Sequence, residues 1–316
     1  MTSASPDLTF SLVIETDNLE IADLAALRDC LESLAAQQPT LQRAIGVFLV
    51  DGGELPDHAF ATFRHDFPWL TILRVDPGTT YVGLKARGAN LSDSDIVILC
   101  DSDVRYEPGW LDALLSGFRQ RPDAHIVGGE TTTPIRGPYS LAFALTFNFP
   151  RFSGDTSLAP CPMYWANNVA IRRSLIAQAP IPDPAVLYRG QNLVHGLELT
   201  RRGLTIWRQP TARAVHIVIP LAEVARRYVI LGRDAASLAR LTRDQSGQRS
   251  LVAMPPDRPE DSQIGKLFGR ISQVVRANPR HAALLPFAAP IVVFLVACYF
   301  AGKLLPVGAP RRAQVT

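Results

Sequence analysis

The sequence predicts an α/β domain with a mostly parallel central sheet and helices on both faces. Three observations predict this class: strand-like runs alternate with segments of helical periodicity, one apolar run lacks polar alternation, and the early runs end beside acidic residues. A run without alternation is typical of a strand buried on both faces. Because ligands of open α/β sheets bind at the carboxyl ends of the strands, the acidic ends predict one crevice there.

The amino-terminal part of the chain supplies the predicted parallel strands. A helix is expected over residues 21–36, where leucines recur at helical spacing, and a short helix over 85–91. Strands are expected over residues 9–15, 45–50, 70–75 and 96–101. Alternating strands and helices of this length are typical of parallel pairing.

The following segment is less regular. A strand over 125–128 leads into a Pro- and Gly-rich passage over 134–184. Long irregular stretches in compact domains are often functional loops, so we expect the acceptor to be recognised there. A helix over 192–202, a strand over 204–207 and a segment that ends at His216 then complete the domain.

Two carboxylates, Asp101 and Asp103, stand one residue apart where the buried run over 96–101 ends. At a strand exit both can converge on one hard cation, typically Mg²⁺ or Mn²⁺ completed by substrate phosphates. The alternative is an acidic turn that solvates the strand end or caps a helix starting over 107–110. Taken alone, the triplet favours this alternative, because short acidic turns are common.

The strand-end motifs, taken in order, resemble those of the inverting family-2 glycosyltransferases, whose nucleotide-sugar-binding domain is called the GT-A fold. The resemblance covers about residues 9–220. It rests on the motifs Glu15-Thr16-Asp17, Asp51-Gly52-Gly53 and Asp101-Ser102-Asp103, and on the segment that closes at His216. Each motif is weak alone, whereas the ordered set is fairly specific.

The resemblance implies a role for each motif. Asp103 and His216 are implied as metal ligands, with a satisfied structural histidine as the alternative for His216. Asp101 is implied to approach the ribose or the metal. Nucleotide contacts are expected from Thr16, Asp17, Asp51, Lys85 and Asp101, and a solvated surface lysine is the alternative for Lys85.

The implied activity is metal-assisted sugar transfer with inversion. The donor would be a nucleoside diphosphate sugar, the acceptor a polysaccharide, a lipid-linked acceptor or a small molecule, and the cofactor a divalent cation, Mg²⁺ or Mn²⁺. A catalytically impaired nucleotide-binding scaffold or regulatory subunit at the membrane is the alternative. A nucleotidyltransferase is disfavoured, because no Gly-rich loop with Lys or Arg follows the first strand.

One position departs from the family pattern. Gln191 and Asn192 stand where the family usually has a Glu-Asp pair whose Asp is the catalytic base. An amide cannot accept a proton at neutral pH, so it can only position other groups. Glu130, after the strand over 125–128, is our hypothesis for a substitute base, with a solvated turn residue as its alternative. Glu198 is less favoured, because it should face away from the start of its helix.

Residues 282–305 carry a single charge, Lys303, and are long enough to cross about 30 Å of hydrocarbon. We expect a membrane segment. Pro286 and Pro290 leave a re-entrant or interfacial helix open, and a buried core helix is the third alternative. More basic residues precede the segment (Lys266, Arg270, Arg276 and Arg280) than follow it (Arg311 and Arg312). This bias places the main domain on the cytoplasmic side.

The sequence predicts the following division: a catalytic domain over 1–220, a basic amphipathic helix over 221–244, a linker over 245–262, a basic juxtamembrane segment over 263–281, a membrane segment over 282–305 and a tail over 306–316. The basic helix could lie on an anionic membrane or simply expose a solvated face.

Composition limits the remaining classes. A formal net charge of +3 is too small to argue for nucleic acid, and the four cysteines lack paired spacing, which indicates a reducing compartment. The first ten residues have neither a basic start nor an apolar stretch, so no secretory signal is visible. We therefore expect an enzyme at the inner, cytoplasmic membrane with its catalytic domain in the cytosol.

Overall fold

The computed structural model describes residues 8–20, 23–38, 40–146, 151–184, 186–244 and 263–306. The expected linker over 245–262 and the tail beyond residue 306 lie outside these ranges. Within the described residues, nine strands form one sheet: β1 (Phe10–Glu15), β2 (Gly46–Asp51), β3 (Leu70–Arg74), β4 (Ile96–Asp101), β5 (Val104–Tyr106), β6 (Ile126–Thr132), β7 (Ala159–Cys161), β8 (Asn168–Arg172) and β9 (Ile206–His216).

The strand order is β3-β2-β1-β4-β8-β6-β9-β5, and β7 pairs with β9. The predicted α/β class is confirmed, and β3, β2, β1 and β4 are mutually parallel. The rest of the sheet is mixed: β8 is antiparallel to β4 and β6, β6 and β9 are parallel, and β5 and β7 are antiparallel to β9.

Helices cover both faces of the sheet. The helices α1 (Leu24–Ala35), α2 (Asp57–Asp66) and α4 (Trp110–Gln120) pack on one face. The helices α3 (Tyr81–Leu91), α6 (Arg173–Gln178) and α7 (Gln191–Arg201) pack on the other. Leu12 and Ile14 of β1 enter the first core and Val13 enters the second, so the strand is apolar throughout.

Helix α3 starts one turn earlier than the sequence indicates. Its amino-terminal cap is Thr80, whose side-chain oxygen accepts a hydrogen bond from the backbone N–H of Gly83 at 3.0 Å. The added turn places Tyr81 and Lys85 four residues apart on one buried face. Both side chains thereby reach the end of β4.

The closing strand is longer than expected. The strand predicted over 204–207 and the segment ending at His216 form one element, β9, with Pro210 inside it. The pairing of β9 with β6 shifts register between Gly128 and Glu130, and this irregularity accommodates the proline. The passage over 134–184 is also more regular than expected, because it contains α5 (Pro138–Thr146), β7, β8 and α6.

Three further helices form a layer beside the sheet: α8 (Leu221–Asp244), α9 (Gln263–Ala277) and α10 (Leu285–Lys303). Helix α10 packs on α5 through Ala288 and Val292. It also meets α8 at two glycines, where a Cβ on Gly232 would lie 1.9 Å from the carbonyl oxygen of Tyr299 and one on Gly302 would lie 2.0 Å from that of Val229. The two backbones therefore approach as closely as glycine allows.

Among the described residues, Pro279–Lys303 is the one helix long and apolar enough to cross a membrane by length and composition. It attaches to the protein by one face, and its other side is apolar and exposed. Phe287 is 67% exposed and Phe300 is 56% exposed. An apolar surface of this extent is typical of contact with lipid or another apolar partner.

Helix α8 exposes only part of the basic face that the sequence predicts. The helix is present, but it is packed against the domain and α10 rather than lying open on the surface. Arg226 is exposed and pairs with Glu223 at 2.8 Å, whereas its neighbour Arg227 is only 4% exposed. Tertiary packing therefore turns part of the basic face inward.

Candidate metal and nucleotide site

The carboxyl ends of β1, β2 and β4 meet at one edge of the sheet, as predicted. Glu15 is in register with Asp101 on one side and with Val50 on the other. The backbone N–H of Thr16 donates to the carbonyl oxygen of Val50 at 3.2 Å. Thr16, Asp51 and Asp101 consequently lie close together at this edge of the sheet.

Asp101 is held by two side chains from α3. Lys85 Nζ lies 2.6 Å from Asp101 Oδ1 and 2.6 Å from the carbonyl oxygen of Cys100, and the Tyr81 hydroxyl donates to the same carboxylate oxygen at 2.8 Å. Burial raises the pKa of Asp101, but Lys85 and Tyr81 outweigh it and the net pKa is lowered. Lys85 is 1% exposed, so the solvated alternative for this lysine is wrong. It keeps Asp101 ionised and fixed in place.

Asp103 and His216 face each other across the pairing of β5 with β9. His216 Nε2 lies 3.4 Å from Asp103 Oδ2, and its Nδ1 lies 2.6 Å from the carbonyl oxygen of Ile217. Because a carbonyl can only accept, this hydrogen bond assigns the ring proton to Nδ1. In the neutral imidazole, Nε2 then presents a lone pair to the carboxylate.

The surroundings of Asp103 suit a cation. Asp103 is 1% exposed, and neither of its carboxylate oxygens has a hydrogen-bond partner among the described residues. The pKa of Asp103 is raised, chiefly by burial and also by Asp101, although His216, Arg227 and Arg189 act to lower it. A buried carboxylate without a partner is unfavourable unless a cation or a proton completes it.

The protein ligands are few. No cluster of three or more His, Cys, Asp or Glu side chains suited to a metal occurs in the described part of the chain. Asp103 and His216 alone fit Mg²⁺ or Mn²⁺, because such cations commonly take one or two protein ligands and fill the remaining positions with phosphates and water.

Two arginines that the sequence did not single out as site residues converge beside Asp103. Arg189, from the loop before α7, lies 2.7 Å from Asp17 and 3.2 Å from Asn18 Oδ1. Arg227, from α8, reaches the same oxygen of Asn18 at 3.3 Å. Its Nε has no hydrogen-bond partner within the described ranges.

Asn18 links these arginines to the end of β1. Its side-chain amide donates to Glu15 Oε1 at 2.8 Å. Glu15 is fully buried, and burial, followed by the nearby Asp101, raises its pKa well above the ordinary value. No local pattern marks Arg189 and Arg227 as partners, since 38 positions separate them and only the folded chain brings them together.

Both carboxylate oxygens of Asp51 accept hydrogen bonds from other groups of the protein. Its Oδ2 accepts from Arg74 Nε at 2.8 Å, and its Oδ1 accepts from the backbone N–H groups of Gly53 and Leu55. Thr16 Oγ1 lies 2.6 Å from Glu54, a residue that the sequence analysis missed. Asp51 therefore shapes the loop after β2.

Gln191 and Asn192 begin α7 and donate to backbone carbonyls. Gln191 Nε2 reaches the oxygen of Leu187 at 3.3 Å, and Asn192 Nδ2 reaches that of Tyr164 at 2.7 Å. Gly190 precedes them with φ +106°, a conformation that favours glycine. These contacts fix the loop that carries Arg189.

Glu130 lies in a separate cavity of about 420 Å³. Its carboxylate accepts from the backbone N–H of Ser153 at 2.8 Å and lies 3.4 Å from Arg208 Nε. Glu130 is in register with Arg213, so His216 stands three residues or about 10 Å further along β9. The structure does not bring Glu130 together with Asp103 and His216. Glu198, the less favoured base, pairs with Arg202.

A family model and a named relative match this chain in sequence. The family model described as "Glycosyl transferase family 2" matches residues 20–178. The chain is 29% identical over 122 residues to a glucosyl-dolichyl phosphate glucuronosyltransferase of Haloferax volcanii. The aligned region covers 38% of this chain and 37% of that protein. The chain thus spans well under half of that relative.

Two solved structures share the fold. A mannosyltransferase, PcManGT of Pyrobaculum calidifontis in complex with GDP-Man and Mn²⁺, has a TM-score of 0.56 at 16% identity over 96% of this chain and 89% of that one. GalNAc-T7 with UDP, GalNAc and Mn²⁺ has a TM-score of 0.55 at 12% identity over 88% of this chain and 58% of that one. At these identities the likeness concerns the fold alone.

Proposed function

Because the chain belongs to glycosyl transferase family 2, we propose that it transfers a sugar from a nucleoside diphosphate sugar to an acceptor at a membrane, with inversion and with a divalent cation. The observation that carries the proposal is the facing pair of Asp103 and His216, two buried groups whose Oδ2 and Nε2 atoms lie 3.4 Å apart. Such a pair suits a hard cation whose other ligands are phosphate oxygens.

Asp103 and His216 would hold the cation, which when bound stabilises the charge of the departing diphosphate. The hydrogen bond from His216 Nδ1 to Ile217 keeps the imidazole in the ligating tautomer. Lys85 and Tyr81 hold Asp101 as an anion beside this pair, ready to orient the ribose. These residues therefore bind and orient the donor before transfer.

Thr16, Asp17 and Asp51 are proposed to line the nucleotide. All three lie at the strand ends next to Asp101, and Asp51 anchors the loop that would meet the base. Asp17 already pairs with Arg189, so nucleotide contact there would involve both groups.

The acceptor is proposed to be lipid-linked and the enzyme to work at the inner membrane with its catalytic domain in the cytosol. The exposed apolar side of α10 supports membrane contact, and the Haloferax relative carries a dolichyl phosphate in its name. The cytosolic assignment depends on the basic excess before the segment. Part of that excess has a structural role, because Arg270 donates to the carbonyl oxygens of Leu145 and Thr146 at the end of α5.

A nucleotide-binding scaffold is the second candidate, and Gln191 and Asn192 favour it. Both amides are committed to backbone carbonyls, so neither replaces a catalytic carboxylate.

The test is nucleotide binding followed by turnover. Calorimetry with UDP and GDP, with and without Mn²⁺, should give Mn²⁺-dependent binding that Asp103→Ala and His216→Ala weaken. Asp93→Ala, which removes a carboxylate whose side chain is 90% exposed, is the matched control. A panel of nucleotide sugars then measures turnover. Binding without turnover of any sugar would favour the scaffold, and unchanged Mn²⁺ dependence in Asp103→Ala would overturn the metal assignment.

A further inference from the structure

The start of α7 and the facing part of α8 combine neutral amides with two arginines, of which Arg227 is buried and Arg189 is partly buried. We propose that the nucleophile is a phosphate oxyanion of a lipid phosphate, bound by Arg189 and Arg227, rather than a hydroxyl group. This inference rests on the proposed function, since it names the acceptor of that same site.

A hydroxyl acceptor must lose its proton to a base as it attacks, and Gln191 and Asn192 cannot take one. A phosphate monoester has its second pKa at about 6, so at neutral pH its oxygen is already an anion. An oxyanion nucleophile makes the missing base unnecessary.

The charge at the start of α7 suits an anionic acceptor. Carboxylates at 191 and 192 would repel an anionic acceptor, and the amides remove that repulsion. Arg189 stands two residues before Gln191. It stacks on the Tyr81 ring, with the guanidinium carbon 4.3 Å from the ring centre. The chain just before α7 therefore places a guanidinium, paired with Asp17 at 2.7 Å, close to where the family usually has acids.

The Nε of Arg227 has unmet hydrogen-bonding capacity. A side chain that is 96% buried with an Nε lacking a partner in the described chain is unfavourable unless a ligand completes it. A guanidinium can bind phosphate through two parallel hydrogen bonds. Asn18 Oδ1 holds one nitrogen of each arginine, which aligns the pair.

The position of Arg227 on α8 indicates the source of the phosphate. Arg227 stands five residues before Gly232, or about 7.5 Å along α8 from its contact with α10. Helix α8 also holds the other arginine, because Asp234 Oδ2 accepts from the backbone N–H of Tyr188 at 2.9 Å. Arg227 and the exposed apolar side of α10 thus lie on one helix pair, and Arg189 lies in a loop held to α8, which suits a phosphate carried on a lipid.

The reaction balances without a proton. An oxygen of the acceptor phosphate attacks the anomeric carbon, a new C–O–P linkage forms, and the bond from that carbon to the donor diphosphate breaks. The nucleoside diphosphate leaves with its electron pair, and the anomeric configuration is inverted. The products are a glycosyl lipid phosphate and a nucleoside diphosphate.

The experiment uses the full chain in lipid vesicles with Mn²⁺ and the donor panel. The two acceptors are a polyisoprenyl phosphate and the same polyisoprenol without phosphate. We expect product only from the phosphate. Arg227→Gln should raise the KM for that acceptor about tenfold or more, the loss expected for a charged hydrogen bond. Arg226→Gln, the exposed neighbour, is the control.

Nucleotide binding separates the two sources of phosphate. The affinity for UDP or GDP should survive in Arg227→Gln. If it falls while the acceptor KM stays unchanged, the arginines bind the donor diphosphate and the inference is wrong. Transfer to the polyisoprenol or to a glycan hydroxyl, or donor binding without turnover of either lipid, would also overturn it while leaving donor binding intact. Absence of nucleotide binding in the wild type would instead refute the proposed function.

Discussion

His216 Nε2 lies 3.4 Å from Asp103 Oδ2, with the opposite ring nitrogen bonded to the carbonyl oxygen of Ile217. Two groups with lone pairs at this separation need a positive charge between them or a proton on one of them. The pairing of β5 with β9 sets the distance, because Val104 is in register with His216. The backbone therefore preorganises the pair before any ligand arrives.

Asp103→Asn should abolish Mn²⁺-dependent nucleotide binding while preserving the fold. The amide keeps the shape but loses the anion, so the metal affinity should fall more than about tenfold, the lower end of the loss seen even for residues that only support a ligand. Electron paramagnetic resonance of Mn²⁺ measures this directly. An unchanged Mn²⁺ affinity would exclude Asp103 as a ligand.

Lys85→Met should destabilise the protein by about 3–5 kcal/mol, because it leaves Asp101 buried without its cation. Urea denaturation measures the loss. The double variant Lys85→Met/Asp101→Asn should recover part of it, since it removes the uncompensated charge as well. Equal stability of the single and double variants would contradict this account.

Glu15→Gln should alter the pH dependence of stability. The folded pKa of Glu15 lies above its unfolded value because of burial, so ionisation of this group opposes folding as the pH rises. The variant should therefore gain stability relative to the wild type between about pH 4 and neutrality, since an unfolded Glu titrates at about 4.3. Thermal unfolding at several pH values measures the difference, and a constant difference would refute the raised pKa.

Gly232→Ala should weaken the contact between α8 and α10. The new Cβ would meet the backbone oxygen of Tyr299 at 1.9 Å, so the helices must separate, at a loss of about 1–3 kcal/mol. Gly269→Ala is the matched control, because nothing lies within 4 Å of its Cβ. The control should be neutral or slightly stabilising in the same unfolding assay.

Glu130→Gln tests the substitute base. If a phosphate oxyanion is the nucleophile, transfer should continue at close to the wild-type rate, because no proton has to be removed. Loss of turnover about 100-fold or greater, with donor binding intact, would support Glu130 as a general base instead. Turnover at saturating donor distinguishes the two outcomes.

Strands with unbroken apolar runs could be predicted from the sequence. β1 and β4 are buried on both faces, which leaves no polar alternation and makes their acidic ends easy to recognise. The mixed half of the sheet could not be predicted, because strand direction there depends on distant partners. Pro210 suggested two segments where β9 is continuous, since only the register shift opposite reveals how the proline is tolerated.

The proximity of Asp103 and His216 was expected from the chain order of the motifs, and their atoms lie 3.4 Å apart. Lys85 was expected near the nucleotide, but its ion pair with Asp101 depends on the extra turn of α3. Arg227 belongs to a run of basic residues on α8, and periodicity alone cannot say which arginine packing turns inward. Burial of charge is decided by tertiary contacts.

The attachment of α10 by one face affects how far the catalytic domain can lie from a membrane. A free tether would let the catalytic domain sample many heights above a bilayer, whereas α10 packs on α5 and α8 and is held to the domain by those contacts. Lipid contact along α10 would therefore set the distance from the membrane surface to Arg227. The protein would then select acceptors by the depth at which their head group lies in the membrane.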